Sequence, residues 1–201
     1  MMARSRVVRL VIVAAALVWA ATIAAALEAI RRFETTPGQA ANSRPLWPAD
    51  SAIPRKNGEW SLVMLVHPHC SCSRASVQEL QAIVEKSPSV QPYVVMYRPS
   101  EFKEGWERGA VLDAATRVRR ARVLIDRDGV EAKRFGGFTS GQTLLYDREG
   151  RLRFSGGVTS LRGHAGNNRG RADVIEIATS ETGSGTHPVF GCAINTKETS
   201  R

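Results

Sequence analysis

The fold is decided by the stretch WSLVMLVHPHCSCSRASVQELQAIVE, residues 60–85. Its first part, residues 60–67, is a short apolar run, which predicts a buried β-strand. A turn at Pro68 follows, and within residues 70–85 apolar side chains recur at helical spacing, namely Val77, Leu80, Ile83 and Val84. Strand, turn and helix in this order predict the opening of a βαβ unit, with two cysteines where the helix begins.

The chain after this unit continues to alternate between strands and helices. Further strands are predicted at residues 93–97, 122–125, 143–146 and 152–154, and helices within residues 102–120, 131–135 and 171–178. The last two strands flank residues 147–150, DREG, a hairpin signal that ends in glycine. This alternation predicts an α/β domain, with a mixed sheet covered by helices on both faces.

The composition is that of a globular chain with one ordinary domain and appendages. Of its 201 residues, 43 % are hydrophobic and 23 % are charged, which excludes wholesale disorder and a coiled coil as descriptions of the whole. The net charge of +9 permits attraction to phosphates or anionic lipids. The sequence has no RNP-like aromatic motif, Cys/His finger or helix-turn-helix signature, so nucleic acid is not expected among its partners.

An uncharged run, LVIVAAALVWAATIAAAL, fills residues 10–27 and follows a basic flank at residues 1–9. As a helix it would extend roughly 27 Å, which nearly spans the apolar core of a bilayer. It predicts one transmembrane helix, an anchor or uncleaved signal; the alternative is a cleaved signal peptide with Ala24 and Ala26 in an A-x-A site. The positive-inside rule keeps the basic flank in the cytoplasm. We therefore expect a single-pass protein of the bacterial inner membrane, with its soluble domain facing the oxidising periplasm.

Residues 28–58 contain four of the nine prolines and little periodic hydrophobicity. This composition predicts a Pro-rich linker that is semi-extended and spaces the domain from the membrane. The predicted domain then occupies residues 59–180, and residues 181–201 form a C-terminal tail that carries Cys192.

The reactive side chains are concentrated in residues 67–74, HPHCSCSR, at the junction of the first strand and its helix. Thiolate is the reactive form of cysteine, and the partial positive charge of a helix N-terminus lowers the pKa of a thiol placed there. We therefore expect Cys70 to be the reactive thiol. His69 and Arg74 are the side chains expected to stabilise its thiolate.

Cys70 and Cys72 are separated by one residue, which constrains any bridge between them. In an ideal helix the Cα atoms of residues i and i+2 are about 5.4 Å apart, within bridging range, but their side chains diverge. A Cys70–Cys72 disulfide is therefore expected to be strained and easily reduced. Such a bond suits thiol–disulfide exchange with protein thiols or disulfides, a reaction that needs no added cofactor.

Several segments resemble a known group of proteins. The strand and helix around residues 67–72 look like the thioredoxin superfamily, and the similarity extends over about residues 60–192. Four later segments resemble, more narrowly, the RedB-type membrane-anchored redox proteins, and these are residues 139–147, 154–159, 162–170 and 188–192. The resemblance implies a thioredoxin-like fold with Cys70 as the exposed thiol and Cys72 as its partner.

The sequence departs from the superfamily's pattern at two positions. Only Ser71 separates the two cysteines, where the usual pair has two intervening residues. In addition, Gln142 occupies the position at which thioredoxins carry a proline facing the active site. The first departure means that the redox potential and the direction of exchange do not carry over, and the second means that the substrate backbone could be recognised differently.

Cys192 is the third cysteine and lies far along the chain, in HPVFGC at residues 187–192. A leftover cysteine in an exported protein indicates a resolving partner, an intermolecular bridge or a free thiol. If the tail folds back, Cys192 could form a disulfide with Cys70 and relieve the strain of the shorter bridge.

Two other functions are compatible with the same residues. His67, His69, Cys70 and Cys72 offer imidazole and thiolate donors for Cu(I) or Zn(II), so soft-metal binding or copper delivery is the alternative function. Peroxide reduction through a sulfenic acid on Cys70 is the third possibility. It is disfavoured because His67 stands where peroxiredoxins have threonine, three residues before the cysteine.

Overall fold

The chain begins with a long apolar helix, α1 (Met2–Thr35). The computed structural model of the protein describes residues 2–194, and the side chains of residues 6–194. It divides into two compact units that separate between Thr36 and Pro37. In the first unit, Arg6–Thr35 is long and apolar enough to cross a membrane, a property that membrane anchors share with signal sequences. Its apolar window is not buried within the protein.

Helix α1 continues eight residues into the predicted linker. Glu28 accepts hydrogen bonds from the guanidinium groups of Arg31 and Arg32, each with a nitrogen–oxygen distance of 2.7 Å. Pairs of opposite charge three and four residues apart stabilise a helix. These pairs explain why residues 28–35 are helical even though they lack the apolar character of the preceding run.

The second unit is built on a six-stranded sheet. Its strands are β1 (Trp60–Val66), β2 (Val90–Arg98), β3 (Arg122–Arg127), β4 (Thr143–Tyr146), β5 (Leu152–Gly156) and β6 (Gly185–Thr186). Its helices are α2 (Ser71–Lys86), α3 (Ala110–Arg117), α4 (Val130–Arg134) and α5 (Arg169–Ser180). The predicted strands and helices are all present, and β6 is an addition that the sequence did not indicate.

The strand order is β3-β2-β1-β4-β5-β6. Strands β1, β2 and β3 are parallel, β4 runs antiparallel to β1 and to β5, and β6 runs parallel to β5. The sheet is therefore mixed, as predicted, and its arrangement is thioredoxin-like.

Strand β1 lies at the centre of the sheet and is buried along its whole length. Leu62, Met64 and Val66 face a core that also contains apolar side chains of α2, α3 and α5. Val63 and Leu65 face a second core on the other side of the sheet. A strand covered on both faces is apolar at nearly every position, which is why residues 62–66 form an uninterrupted apolar run and Ser61 is the one polar residue of β1.

The segment predicted as a Pro-rich linker packs against the domain over residues 37–58. Trp47 lies edge-on to the rings of Phe135 and Tyr146, with centroid distances of 5.0 and 5.2 Å. Ile53 is buried in the second core, and the backbone N–H of Ala52 donates to the Glu131 carboxylate. The segment thus covers a face of the sheet, and its isolated apolar residues explain why no periodic pattern indicated this.

The docking of residues 37–58 can be tested with Trp47→Ala. Because Trp47 is partly buried among aromatic rings, we expect the free energy of unfolding to fall by about 2–3 kcal/mol, less than for a fully buried tryptophan. Lys56→Ala, an exposed change in the same segment, should stay within about 0.5 kcal/mol of the parent. Urea unfolding followed by circular dichroism measures both variants; equal stability of Trp47→Ala and the parent would mean that the segment is a free tether.

Candidate active site

Cys70 lies at the junction between β1 and α2, where it is the N-cap residue of the helix. Its backbone is extended, with φ −89° and ψ 117°, so it lies outside the helix proper. The ideal-helix spacing used to predict a strained Cys70–Cys72 bridge therefore does not describe this pair. The backbone N–H of Cys72 interacts with the Cys70 sulfur, as expected for a helix N-terminus that faces a thiolate.

Two serines hold the turn that carries Cys70. The backbone N–H of His67 donates to Ser140 Oγ at 2.9 Å, and Ser73 Oγ donates to the His67 carbonyl, also at 2.9 Å. The two serine oxygens are 2.6 Å apart. Ser73, Ser140 and His67 are buried, so this hydrogen-bond network fixes the turn in a region shielded from water.

Cys192 lies directly beside Cys70, with a distance of 2.8 Å between the two sulfurs. The chain around Cys192 is held in place by a neighbouring loop. The backbone N–H of Ser140 donates to the Cys192 carbonyl at 2.8 Å, and Ala193 forms an antiparallel bridge with Thr139. The predicted tail therefore folds back onto the turn that carries Cys70, and the resolving role, one of the three alternatives for Cys192, requires this arrangement.

The contact between the two sulfurs shifts the pKa values of the two thiols in opposite directions. The pKa of Cys70 is lowered to about 4, mainly by the hydrogen bond with Cys192, which outweighs burial; backbone N–H groups and the Ser73 hydroxyl contribute. The pKa of Cys192 is raised, first by the same hydrogen bond with Cys70 and then by burial. At neutral pH the pair consequently consists of a Cys70 thiolate and a Cys192 thiol, and the shared proton lies on Cys192.

Cys72 and Arg162 complete the surroundings of this pair. Burial and the negative charge of Cys70 raise the pKa of Cys72, whereas the positive charge of Arg162 acts in the opposite direction on both Cys72 and Cys192. Arg162 also donates to the Gly191 carbonyl at 2.6 Å. The sequence did not single out Arg162, because a position 90 residues from Cys72 becomes its neighbour only in the folded chain.

Arg74, predicted to stabilise the thiolate, occupies a different place. Its side chain is exposed on the first turns of α2 and lines a surface hollow with Val77 and Val118. The positive side chain whose charge acts on the thiols Cys72 and Cys192 is Arg162.

The two histidines face an aromatic cluster. His67 Nδ1 accepts a hydrogen bond from the backbone N–H of His69 at 3.2 Å, and the His67 ring stacks on Tyr97. His69 Nε2 lies 3.0 Å from the carbonyl oxygen of Trp106, and the two rings are in edge-on contact. Both imidazoles thus support the turn before Cys70.

The structure does not assemble the predicted metal-ligand set of His67, His69, Cys70 and Cys72. Within residues 6–194, no group of three or more His, Cys, Asp or Glu side chains is arranged to hold a metal ion. Because His67 and His69 engage backbone groups and aromatic rings, these four side chains do not converge on one point.

Comparisons with known proteins agree with the fold. A hypothetical protein from Sinorhizobium meliloti superimposes with a TM-score of 0.59 at 19 % identity, over 81 % of this chain and 96 % of its own. An uncharacterized conserved protein from Geobacillus kaustophilus gives a TM-score of 0.59 at 16 % identity, over 83 % and 95 %. DsbF of Mycobacterium tuberculosis is more distant, with a TM-score of 0.45 at 14 % identity, over 63 % and 83 %.

These likenesses concern the fold alone: the second unit has a thioredoxin-like fold. Neither a protein-family model nor a curated protein sequence matches the chain.

The ionisation of Cys70 can be tested by following thiolate ultraviolet absorbance in the reduced protein as pH is lowered. A lowered pKa means that the anion persists until pH falls to about 4, so one thiolate should remain through the acidic range. Cys192→Ala removes the main stabilising partner and should move this transition several pH units upward, toward the ordinary value of about 8.5.

Two matched variants assign the signal. Cys70→Ser should remove the low transition and Cys72→Ser should keep it. Loss of the transition in Cys72→Ser, with the transition kept in Cys70→Ser, would show that the low pKa belongs to Cys72 and not to Cys70.

Proposed function

We propose that this protein is a thiol–disulfide oxidoreductase in which Cys70 is the reactive sulfur. The observation that carries the proposal is the 2.8 Å contact between Cys70 and Cys192 at the N-terminus of α2. A thiolate at neutral pH is both the attacking form of cysteine and a good leaving group. Cys70 therefore has the two properties that exchange requires, and it has a second thiol within reach.

The exchange involves two displacements at sulfur. In the reduced protein, the Cys70 thiolate attacks one sulfur of a client disulfide; a Cys70–client bond forms, the client S–S bond breaks, and the other client sulfur leaves as a thiolate. Cys192 then loses its proton to water and attacks Cys70 Sγ, which forms the Cys70–Cys192 disulfide and releases the second client thiolate. The client gains two electrons and the cysteine pair loses two. The same steps in reverse oxidise a client dithiol.

The geometry favours Cys192 over Cys72 as the resolving thiol. The sulfur of Cys192 already lies 2.8 Å from that of Cys70, and the residue is exposed. Arg162 favours the Cys192 thiolate that forms during resolution. Cys72 is buried, and its burial and the negative charge of Cys70 raise the pKa of its thiol. We therefore propose that Cys72 is not the resolving thiol, although the resemblance implies that it is the partner of Cys70.

We propose further that α1 anchors the domain to the bacterial inner membrane, with the thiols in the periplasm. Support comes from the uncharged run at residues 10–27 of α1, whose large apolar side chains are exposed, and from Arg6 and Arg9 ahead of it. An oxidising compartment allows the pair to cycle through its disulfide state. The RedB-type resemblance implies the same arrangement, and protein thiols or disulfides are the proposed partners.

The proposed function is tested by mixing the reduced full chain with glutathione disulfide, quenching with acid and mapping sulfur linkages by mass spectrometry. The parent should contain a Cys70–Cys192 disulfide and no retained glutathione. Cys192→Ser should keep glutathione on Cys70, because the resolving thiol is missing. Cys72→Ser should behave like the parent.

The outcomes separate the function from the choice of partner. Retained glutathione in Cys72→Ser, with normal resolution in Cys192→Ser, would show that Cys70 and Cys72 are the pair. Absence of any linkage at Cys70 in all variants would show that the protein does not perform this exchange.

A further inference from the structure

The reactive sulfur is covered by the protein's own C-terminal segment. Cys70 is only 2 % exposed, and Cys192 occupies the position next to its sulfur. Attack on a disulfide requires direct approach of the incoming sulfur to Cys70 Sγ. A protein client can therefore react only when the segment around Cys192 has moved away.

The covering segment, residues 189–194, lies alongside residues 138–140 and forms an antiparallel bridge with them between Ala193 and Thr139. Its backbone makes the pattern of an added strand: Ser140 N–H donates to the Cys192 carbonyl at 2.8 Å, and Ile194 N–H donates to the Phe138 carbonyl at 2.9 Å. On its other side, Gly38 N–H donates to the Val189 carbonyl at 2.8 Å. Backbone hydrogen bonds of this kind are available to any extended peptide, whereas side-chain contacts decide which peptide fits.

Three side-chain positions of this segment define what fits. A Cβ atom at Gly191 would lie 1.9 Å from the Ser140 carbonyl oxygen, so only glycine is accommodated before the cysteine in this register. Val189 and Ile194 are 5 % and 1 % exposed, three positions before and two positions after the cysteine.

We propose that residues 189–194 form a latch on the client-binding surface, and that clients are extended segments with a glycine before the reactive cysteine and aliphatic residues at the two buried positions. This inference rests on the proposed function and specifies its substrate class. The latch places Cys192 where a client's cysteine must lie, so one segment both excludes poorly fitting clients and supplies the resolving thiol. A client replaces the latch by making the same backbone hydrogen bonds.

The test uses the full chain with Cys192→Ser, so that a captured peptide stays on Cys70. The probe is a synthetic peptide of residues 187–194, HPVFGCAI, whose cysteine is joined to thionitrobenzoate by a disulfide. The Cys70 thiolate attacks the peptide sulfur, the bond to thionitrobenzoate breaks, and the coloured thiolate leaves with the electron pair. The release of thionitrobenzoate measures the rate of peptide capture, and mass spectrometry identifies the cysteine that carries the peptide.

Adding Gly191→Val should expel the latch, because the new side chain meets the Ser140 carbonyl. We expect this protein to capture the probe at least about 10-fold faster than the matched control Ala193→Val, which adds the same bulk at an exposed neighbouring position. The expelled-latch protein should also prefer the probe over a probe with valine in place of glycine by at least about 10-fold. If Gly191→Val does not fold, as judged by circular dichroism, Ile194→Asp expels the latch instead.

Equal rates for the two probes, or equal rates for the expelled-latch and control proteins, would overturn the latch. Glutathione disulfide serves as the reference reagent in each variant. Exchange with glutathione disulfide, without discrimination between the two peptide probes, would support the proposed function and contradict the latch. Absence of exchange with either reagent removes the proposed function itself.

Discussion

The contact between the sulfurs of Cys70 and Cys192 joins positions 122 residues apart, and the arrangement of the site depends on it. One residue, Ser140, supports both sides of the contact. Its hydroxyl accepts from the backbone of His67 in the turn before Cys70, and its backbone N–H donates to the carbonyl of Cys192. Because Ser140 holds both the turn before Cys70 and the backbone of Cys192, the distance between the two sulfurs is set by buried hydrogen bonds and not by the two cysteines alone.

The same contact bears on the chemistry of the pair. Two thiols at hydrogen-bond distance cannot both ionise without repulsion, so the titration belongs to the pair as a unit. The hydrogen bond with Cys192, together with the backbone N–H groups at the helix N-terminus, lowers the pKa of Cys70, and the proton stays on Cys192. Stabilising a thiolate stabilises the reduced state, which raises the reduction potential of the corresponding disulfide. In the proposed exchange, this stabilisation makes Cys70 a good leaving group when a client thiolate attacks the Cys70–Cys192 disulfide.

The sequence predicts those parts of the structure that rest on local patterns. The apolar run of β1 and the 3.6-residue period of α2 placed Cys70 at a helix start, and the alternation of strands and helices indicated the mixed sheet. Ser140, Arg162 and the docking of Trp47 were not predicted, because each matters through contacts with distant parts of the chain. The role of Cys192 as the partner of Cys70 was only one of three alternatives, because the spacing of cysteines in a sequence carries no information on which pairs meet in space.

Gln142, the departure from the superfamily's pattern, explains how the chain end comes to pair with residues 138–140. Its backbone N–H donates to the Thr139 carbonyl at 3.1 Å and closes a turn, a hydrogen bond that a proline could not donate. The next residue back, Gly141, has a φ of +91° and lies where a side chain would meet Ser76 Oγ. These two residues turn the chain tightly onto β1 and place Thr139 and Ser140 as a short edge beside Cys70. The segment of this chain that carries Cys192 completes that edge and brings its sulfur to Cys70.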